Sequence, residues 1–245
     1  MTRHNTHKHR AAGVLAGVVA LALGGCAATS APSSSVTLAE KAPLLPSSLF
    51  AGESQRFDAW QCEPAHQNLV TAGSADTLRL WSMHGAWQLP RAIVASGERF
   101  QQGDISFWNK GQEARVETPR GQLQCELAEQ RQAFTRADYP DVMFMGRGNE
   151  PGWMIKLSSQ TPEMTLVSNY GRETRTLPYM VSVMDNDAGR VVIENAQADD
   201  FFRVSIEASA CFDNMSGEPF PARVTLTIDS EQYAGCGQGI APIRQ

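Results

Sequence analysis

No apolar run in this 245-residue sequence reaches the roughly 20 residues that a membrane-spanning helix needs; the longest, Ala11 to Leu23, falls short. Histidine is scarce: of five, His4, His7 and His9 lie in the first ten residues, which leaves His66 and His84. Neither sits in an HExxH-like pattern, and the second half has none, so a Ser-His-Asp or Cys-His nucleophile built within it is excluded. The five cysteines form no CxxC and no Cys/His spacing suited to zinc or redox chemistry. No basic tract is long enough to neutralise a phosphate backbone, which argues against nucleic acid. Asp185-Asn186-Asp187-Ala188-Gly189 opens like a calcium loop, but the twelfth position is Ala196 where Glu is required, so a turn is expected. Asp199 and Asp200, like Asp185 and Asp187, read as solvated loop acids. The glycines of GRGNEPGW (Gly146, Gly148, Gly152) and GCGQG (Gly235, Gly237, Gly239) do not open a helix after a strand, so they lack the context of a phosphate cradle. Pro151-Gly152 predicts a type II turn. No cofactor and no metal are expected.

What is present begins with a leader. A polar stretch bearing Arg3, Lys8 and Arg10 precedes the uncharged run, which ends in Leu23-Gly24-Gly25-Cys26. A basic head, a short apolar middle and small residues before a cut mark an exported protein. Leu-Gly-Gly-Cys resembles the bacterial lipobox, whose cysteine thiol accepts a diacylglycerol group. The resemblance implies a signal peptide over 1–25 and a lipidated Cys26, anchored by acyl chains at about 0.8 kcal/mol per buried CH₂. Ala27 rather than Asp after the cysteine implies the outer membrane, with the protein facing the periplasm. Without the leader's three basic residues, 18 basic stand against 26 acidic, a formal charge of about -8 that would attract a basic protein partner.

Residues 26–48 are rich in Ala, Ser, Thr and Pro and read as a flexible tether. With Cys26 set aside, four cysteines remain: Cys62 and Cys125 in the first half, Cys211 and Cys236 in the second. An oxidising compartment permits bridges, and the simplest of the three connectivities places one in each half.

Beyond the tether, short alternating runs are broken by Gly, Asn, Asp and Pro, the pattern of an all-β chain. Strands are expected near 56–62, 68–72, 77–81, 86–89, 92–95, 105–108, 114–117 and 122–126. Such a series suggests a meander closed into a barrel or a tight sandwich. Leu127 to Ala137 is the one plausible helix, ended by Tyr139 before Pro140. Alternation resumes at 153–157, 203–210 and 223–229. The expected organisation is two disulfide-stapled antiparallel β domains, the first a β-barrel over 49–127, a connector over 128–145 and a second domain over 146–245.

Two stretches of the first half stand out. Val94-Ala95-Ser96-Gly97-Glu98-Arg99-Phe100 and Phe107-Trp108-Asn109-Lys110-Gly111-Gln112-Glu113-Ala114 each set a small polar or basic residue beside a turn glycine, with aromatics close by. The span from Phe57 to Cys125 resembles the MliC/PliC family of c-type lysozyme inhibitors, marked by an SGxxY-like and then a YxxKG-like motif inside a cysteine-bracketed barrel. Here these read Ser96-Gly97-Glu98-Arg99-Phe100 and Phe107-Trp108-Asn109-Lys110-Gly111, with Phe in place of Tyr at Phe100 and Phe107.

The resemblance implies a protein that plugs an enzyme rather than being one, with c-type lysozyme as its partner. Ser96, Gly97, Phe100, Lys110 and Gly111 would form the inhibitory loops. The alternative is a structural or ligand-binding envelope lipoprotein that has lost inhibition. The second half, through GNEPGW, Cys211-Phe212-Asp213-Asn214-Met215-Ser216-Gly217 and Gly235-Cys236-Gly237, resembles an uncharacterised bacterial envelope domain. Asp213, Met215 and Ser216 are expected to form a disulfide-supported turn rather than a binding loop.

Overall fold

Period-two runs separated by turn residues favour strands that pair with their sequence neighbours. The computed structural model describes residues 41–64, 66–195, 201–228 and 230–241. The leader and Cys26 lie outside the described residues.

Eight strands form a closed antiparallel barrel: β1 (Arg56–Glu63), β2 (Gln67–Gly73), β3 (Thr77–Ser82), β4 (Gly85–Ala92), β5 (Glu98–Gln102), β6 (Ile105–Asn109), β7 (Glu113–Thr118) and β8 (Gly121–Gln132). Closure pairs β1 with β8, which removes the exposed edges an open sheet would carry. Cys62 and Cys125 face each other across that seam and are bridged, joining first strand to last. Leu69, Leu78, Leu80, Leu89, Phe100, Phe107 and Val116 fill the interior around Trp60, whose indole N–H donates to Thr71 Oγ1 at 2.9 Å.

Two sequence expectations change here. The strand expected over 92–95 does not form: β4 ends at Ala92, which with Arg91 makes its only pairing with β5, residues 93–95 are loop, and the fifth strand is Glu98–Gln102. The helix expected over Leu127–Ala137 does not form. β8 continues to Gln132 because β1 takes up its backbone groups as far as Arg56↔Gln132. Beyond it, Thr135 and Asp138 close only a turn, with Thr135 Oγ1 donating to Asp138 Oδ2 at 2.7 Å.

The second half is one nine-stranded antiparallel sheet. Its strands are β9 (Val142–Asn149), β10 (Gly152–Ser158), β11 (Glu163–Ser168), β12 (Glu173–Pro178), β13 (Met180–Asp185), β14 (Arg190–Glu194), β15 (Phe202–Phe212), β16 (Pro219–Ile228) and β17 (Glu231–Gly239). They are ordered β12-β11-β10-β9-β17-β16-β15-β14-β13. The alternating runs expected near 153–157, 203–210 and 223–229 are β10, β15 and β16.

The glycine clusters lie in the middle of this sheet, where β9 pairs with β17. A Cβ on Gly235 would come within 2.1 Å of the Arg147 carbonyl oxygen, and one on Gly148 within 2.3 Å of Trp153 Nε1. These glycines allow an indole to pack flat on the sheet. The type II turn expected at Pro151-Gly152 is absent. The Glu150–Pro151 bond is cis, and Gly152 opens β10 without a positive φ, its α-carbon covered by the Tyr170 ring. Asp185–Gly189 is the expected turn: Asp185 Oδ1 accepts from the Asp187 and Ala188 amides, and Gly189 takes φ 64°. Cys211 bridges Cys236, but their strands β15 and β17 are not hydrogen-bonded neighbours. β16 lies between them, and a register shift from Ala208 to Cys211 accompanies the crossing.

A second apolar core, distinct from the barrel interior, lies between barrel and sheet. Phe57, Val70, Ala72 and Trp81, on the outer face of the barrel, join Val204, Ile206, Ala208 and Val224 of the sheet in a single apolar cluster. β2 is buried over four successive residues, Leu69 to Ala72, because both of its faces are covered. Residues before β1 pack here too: Ala42 and Leu45 contact the cluster, Leu49 is fully buried, and Trp81 Nε1 donates to the Ser48 carbonyl at 2.7 Å.

A buried arginine fastens the two sheets. The Arg131 guanidinium lies 3.9 Å from the centroid of the Phe220 ring and 4.9 Å from that of Phe57. It donates to Pro219 O at 2.9 Å and to Gln238 Oε1 at 2.7 Å. Burial pulls its pKa down to about 9, which nearby Glu218 opposes.

Candidate functional site

The antiparallel β5–β6 hairpin sets Glu98 opposite Asn109, so the next residues outward, Gly97 and Lys110, emerge side by side at one end of the barrel. The two motifs, separate in sequence, thereby become one surface. Gly97 adopts φ 70° and Gly111 φ 89°, left-handed conformations that glycine takes without a steric penalty. At Gly97 there is also no space: a Cβ would stand 2.5 Å from Asn109 O and 3.1 Å from Lys110 Cγ. The Lys110 amide donates to Glu113 O at 2.8 Å and closes the second turn.

Trp108 braces the site from beneath. Its Nε1 donates to Ser96 O at 3.0 Å, tying the first loop to the second, and the Lys110 ammonium lies 4.0 Å from the ring centroid. Arg99 reaches the same ring at 6.0 Å and pairs with Glu117 at 2.9 Å, while Ser106 Oγ donates to that carboxylate at 3.1 Å. Arg91 pairs with Glu98 at 3.1 Å and donates to Ala75 O at 2.9 Å, fixing the other side of the first loop.

Ser96, Gly97, Lys110 and Gly111 are exposed together at this end. Phe100 is not: it is buried in the barrel core opposite Phe107, whose ring meets Trp60 edge-on at 5.4 Å. Neither phenylalanine reaches the surface, so both positions serve packing, for which no hydroxyl is needed. Sequence reasoning missed Ile93, which projects fully into solvent from the first loop. Its alternation with Ala92 and Val94 imitates a strand, and only the early end of β4 reveals it as a loop apex.

In the second half, Asp213 accepts at Oδ1 from the Met215 amide at 3.0 Å, the Ser216 amide at 2.9 Å, Ser216 Oγ at 3.1 Å and Asn149 Nδ2 at 3.1 Å. Burial acts to raise the Asp213 pKa, but the Ser216, Met215 and Asn149 hydrogen bonds outweigh it and hold the carboxyl below its ordinary range. Arg147 pairs with Asp213 at 3.4 Å and also with Glu218. This is the structural turn expected from the sequence. Among the described residues no group of His, Cys, Asp and Glu is placed to hold a metal ion.

The span that carries both loops also matches a known family. The barrel is similar to MliC. Residues 60–124 match that family's model, described as membrane-bound lysozyme-inhibitor of c-type lysozyme. The match runs from Trp60 on β1 to Gln124 on β8, next to the bridged Cys125, and takes in both loops. The comparison with curated proteins found no match to the chain.

Proposed function

We propose that this protein inhibits c-type lysozyme by presenting the Ser96 and Lys110 loops to the enzyme's active-site cleft. The observation that carries the reading is the joined, exposed pair of turns within the span that matches the MliC family. Such a lysozyme cleaves with two carboxyl groups, one kept protonated and one ionised. The Lys110 ammonium suits the ionised group, the Ser96 hydroxyl suits the other, and the loops that carry them exclude the sugar. Ile93, exposed beside them, adds an apolar contact at the rim of the same surface. In this reading the protein acts on an enzyme and is not one itself. Lipid at Cys26, in the outer membrane and facing the periplasm, would hold it near the peptidoglycan that lysozyme attacks.

The test is inhibition of peptidoglycan lysis by a c-type lysozyme. A cation desolvated against a carboxylate typically costs about 2 to 5 kcal/mol when removed, so Lys110→Ala should weaken inhibition by roughly 30-fold or more. Ser96→Ala should weaken it by about tenfold. No inhibition by the intact protein, or full inhibition by both variants, overturns the proposal.

A further inference from the structure

The barrel interior is only partly filled. Trp60, Phe100 and Phe107 occupy its middle, but the end opposite the two loops opens into a cavity of about 730 Å³. Leu69, Leu80 and Val116 form its floor, and Trp87, Ile105 and Leu123, each half-buried, form its walls. That volume lies within the range of small-molecule sites, and an eight-stranded barrel is just wide enough to hold one such ligand. Leu69, Leu80 and Val116 are already buried, but Trp87, Ile105 and Leu123 keep apolar surface facing the opening and forgo burial that a ligand would supply.

Charge at the mouth narrows the occupant. Arg120, exposed in the β7–β8 turn, supplies that charge at the opening, which His84 of the β3–β4 turn also lines, and among the described residues the lining holds no carboxylate. No ion pair engages the Arg120 guanidinium among the described residues. The Arg120 amide accepts a fixed position through Thr118, donating to its Oγ1 at 3.2 Å, so the turn that presents the guanidinium is braced. An apolar chamber with a cationic rim selects a single-chain amphiphile: tail inside, anionic head at the mouth.

We propose that this end of the barrel binds a fatty acid, its chain against Leu69, Leu80, Trp87, Ile105 and Leu123 and its carboxylate at Arg120. The site is separate from the loop surface, since the turns of 83–84, 103–104 and 119–120 lie at one end of the barrel and those of 93–97 and 110–112 at the other. The inference is independent of lysozyme inhibition.

The experiment is displacement of a dansylated undecanoate from the full chain by laurate, dodecanol and dodecyltrimethylammonium. Laurate should displace saturably and more tightly than either competitor. Arg120→Gln should weaken laurate by about tenfold and leave dodecanol unchanged. Leu123→Glu, which puts a carboxylate in the wall, should remove laurate binding; an unaltered thermal melt confirms that this variant folds, and Trp87→Ala, with a several-fold loss, stands in if it does not. Absence of saturable laurate binding overturns the proposal, as does equal binding of the cationic amphiphile or indifference of laurate to Arg120→Gln.

Discussion

The Lys110 ammonium rests 4.0 Å from the centroid of the Trp108 ring, while the same indole donates its N–H to the Ser96 carbonyl. One side chain therefore positions both groups proposed to enter the cleft. Trp108→Phe keeps a ring beneath Lys110 but loses the hydrogen bond, and should weaken lysozyme inhibition by about two- to tenfold. Trp108→Ala loses both and should weaken it further. Titration of each variant in the lysis assay, with circular dichroism to check the fold, distinguishes positioning from collapse.

Gly97 and Gly111 both hold positive φ, but only Gly97 is crowded. Alanine at either position meets a backbone penalty of roughly 1 kcal/mol. At Gly97 it also meets the Asn109 carbonyl, so Gly97→Ala should cost at least about 1 kcal/mol more than Gly111→Ala. Urea denaturation midpoints measure the difference. Equal costs would show that the two loops are not in contact.

Asp213 makes stability depend on pH. Its folded pKa lies below the ordinary value of about 3.9, so the stabilisation is fully present above that value. It is lost as pH falls through the folded pKa. The gap in unfolding free energy between the parent and Asp213→Asn should be constant near neutrality and shrink below about pH 4. A gap that instead widens on acidification is the opposite sign and contradicts the assignment.

Replacing Cys62 and Cys125 together by alanine opens a loop with a sequence separation of 63. The chain-entropy model puts the loss at roughly 4 kcal/mol, read as a lower urea midpoint. The barrel should still form, since the β1–β8 ladder does not need the bridge; loss of strand signal in circular dichroism would show otherwise.

Arg131→Ala leaves Gln238 Oε1 and Pro219 O without their buried donor and empties the space beside Phe220. The expected cost is about 3 kcal/mol in a denaturant titration. Lysine should recover only part of it, because an ammonium cannot reproduce the planar fork.

The barrel was largely legible in the residues. Alternation between turn glycines located seven of its eight strands, and the paired motifs marked the site, because a side-chain period of two is a local property. The second sheet was less legible. β9 runs Met143-Phe144-Met145 buried without alternation, and β17 carries Gly235, Gly237 and Gly239 where a loop would ordinarily be read. Those glycines make sense only beside the rings of Trp153 and Phe144, which come from other strands, and of Phe50, which comes from the segment before β1.

Local chemistry in the chain was enough for the all-β class, the two turns with their glycines, and the cysteines available for pairing. Tertiary structure alone decided that Leu127–Gln132 is strand rather than helix, that Phe100 is core rather than surface, and that barrel and sheet share apolar contacts through Phe57, Val70 and Trp81. Each of these depends on a partner far away in sequence. A residue's conformation follows its neighbours in the chain only until a distant strand offers it hydrogen bonds or burial, and here the seam with β1 and the face against β15 made that offer.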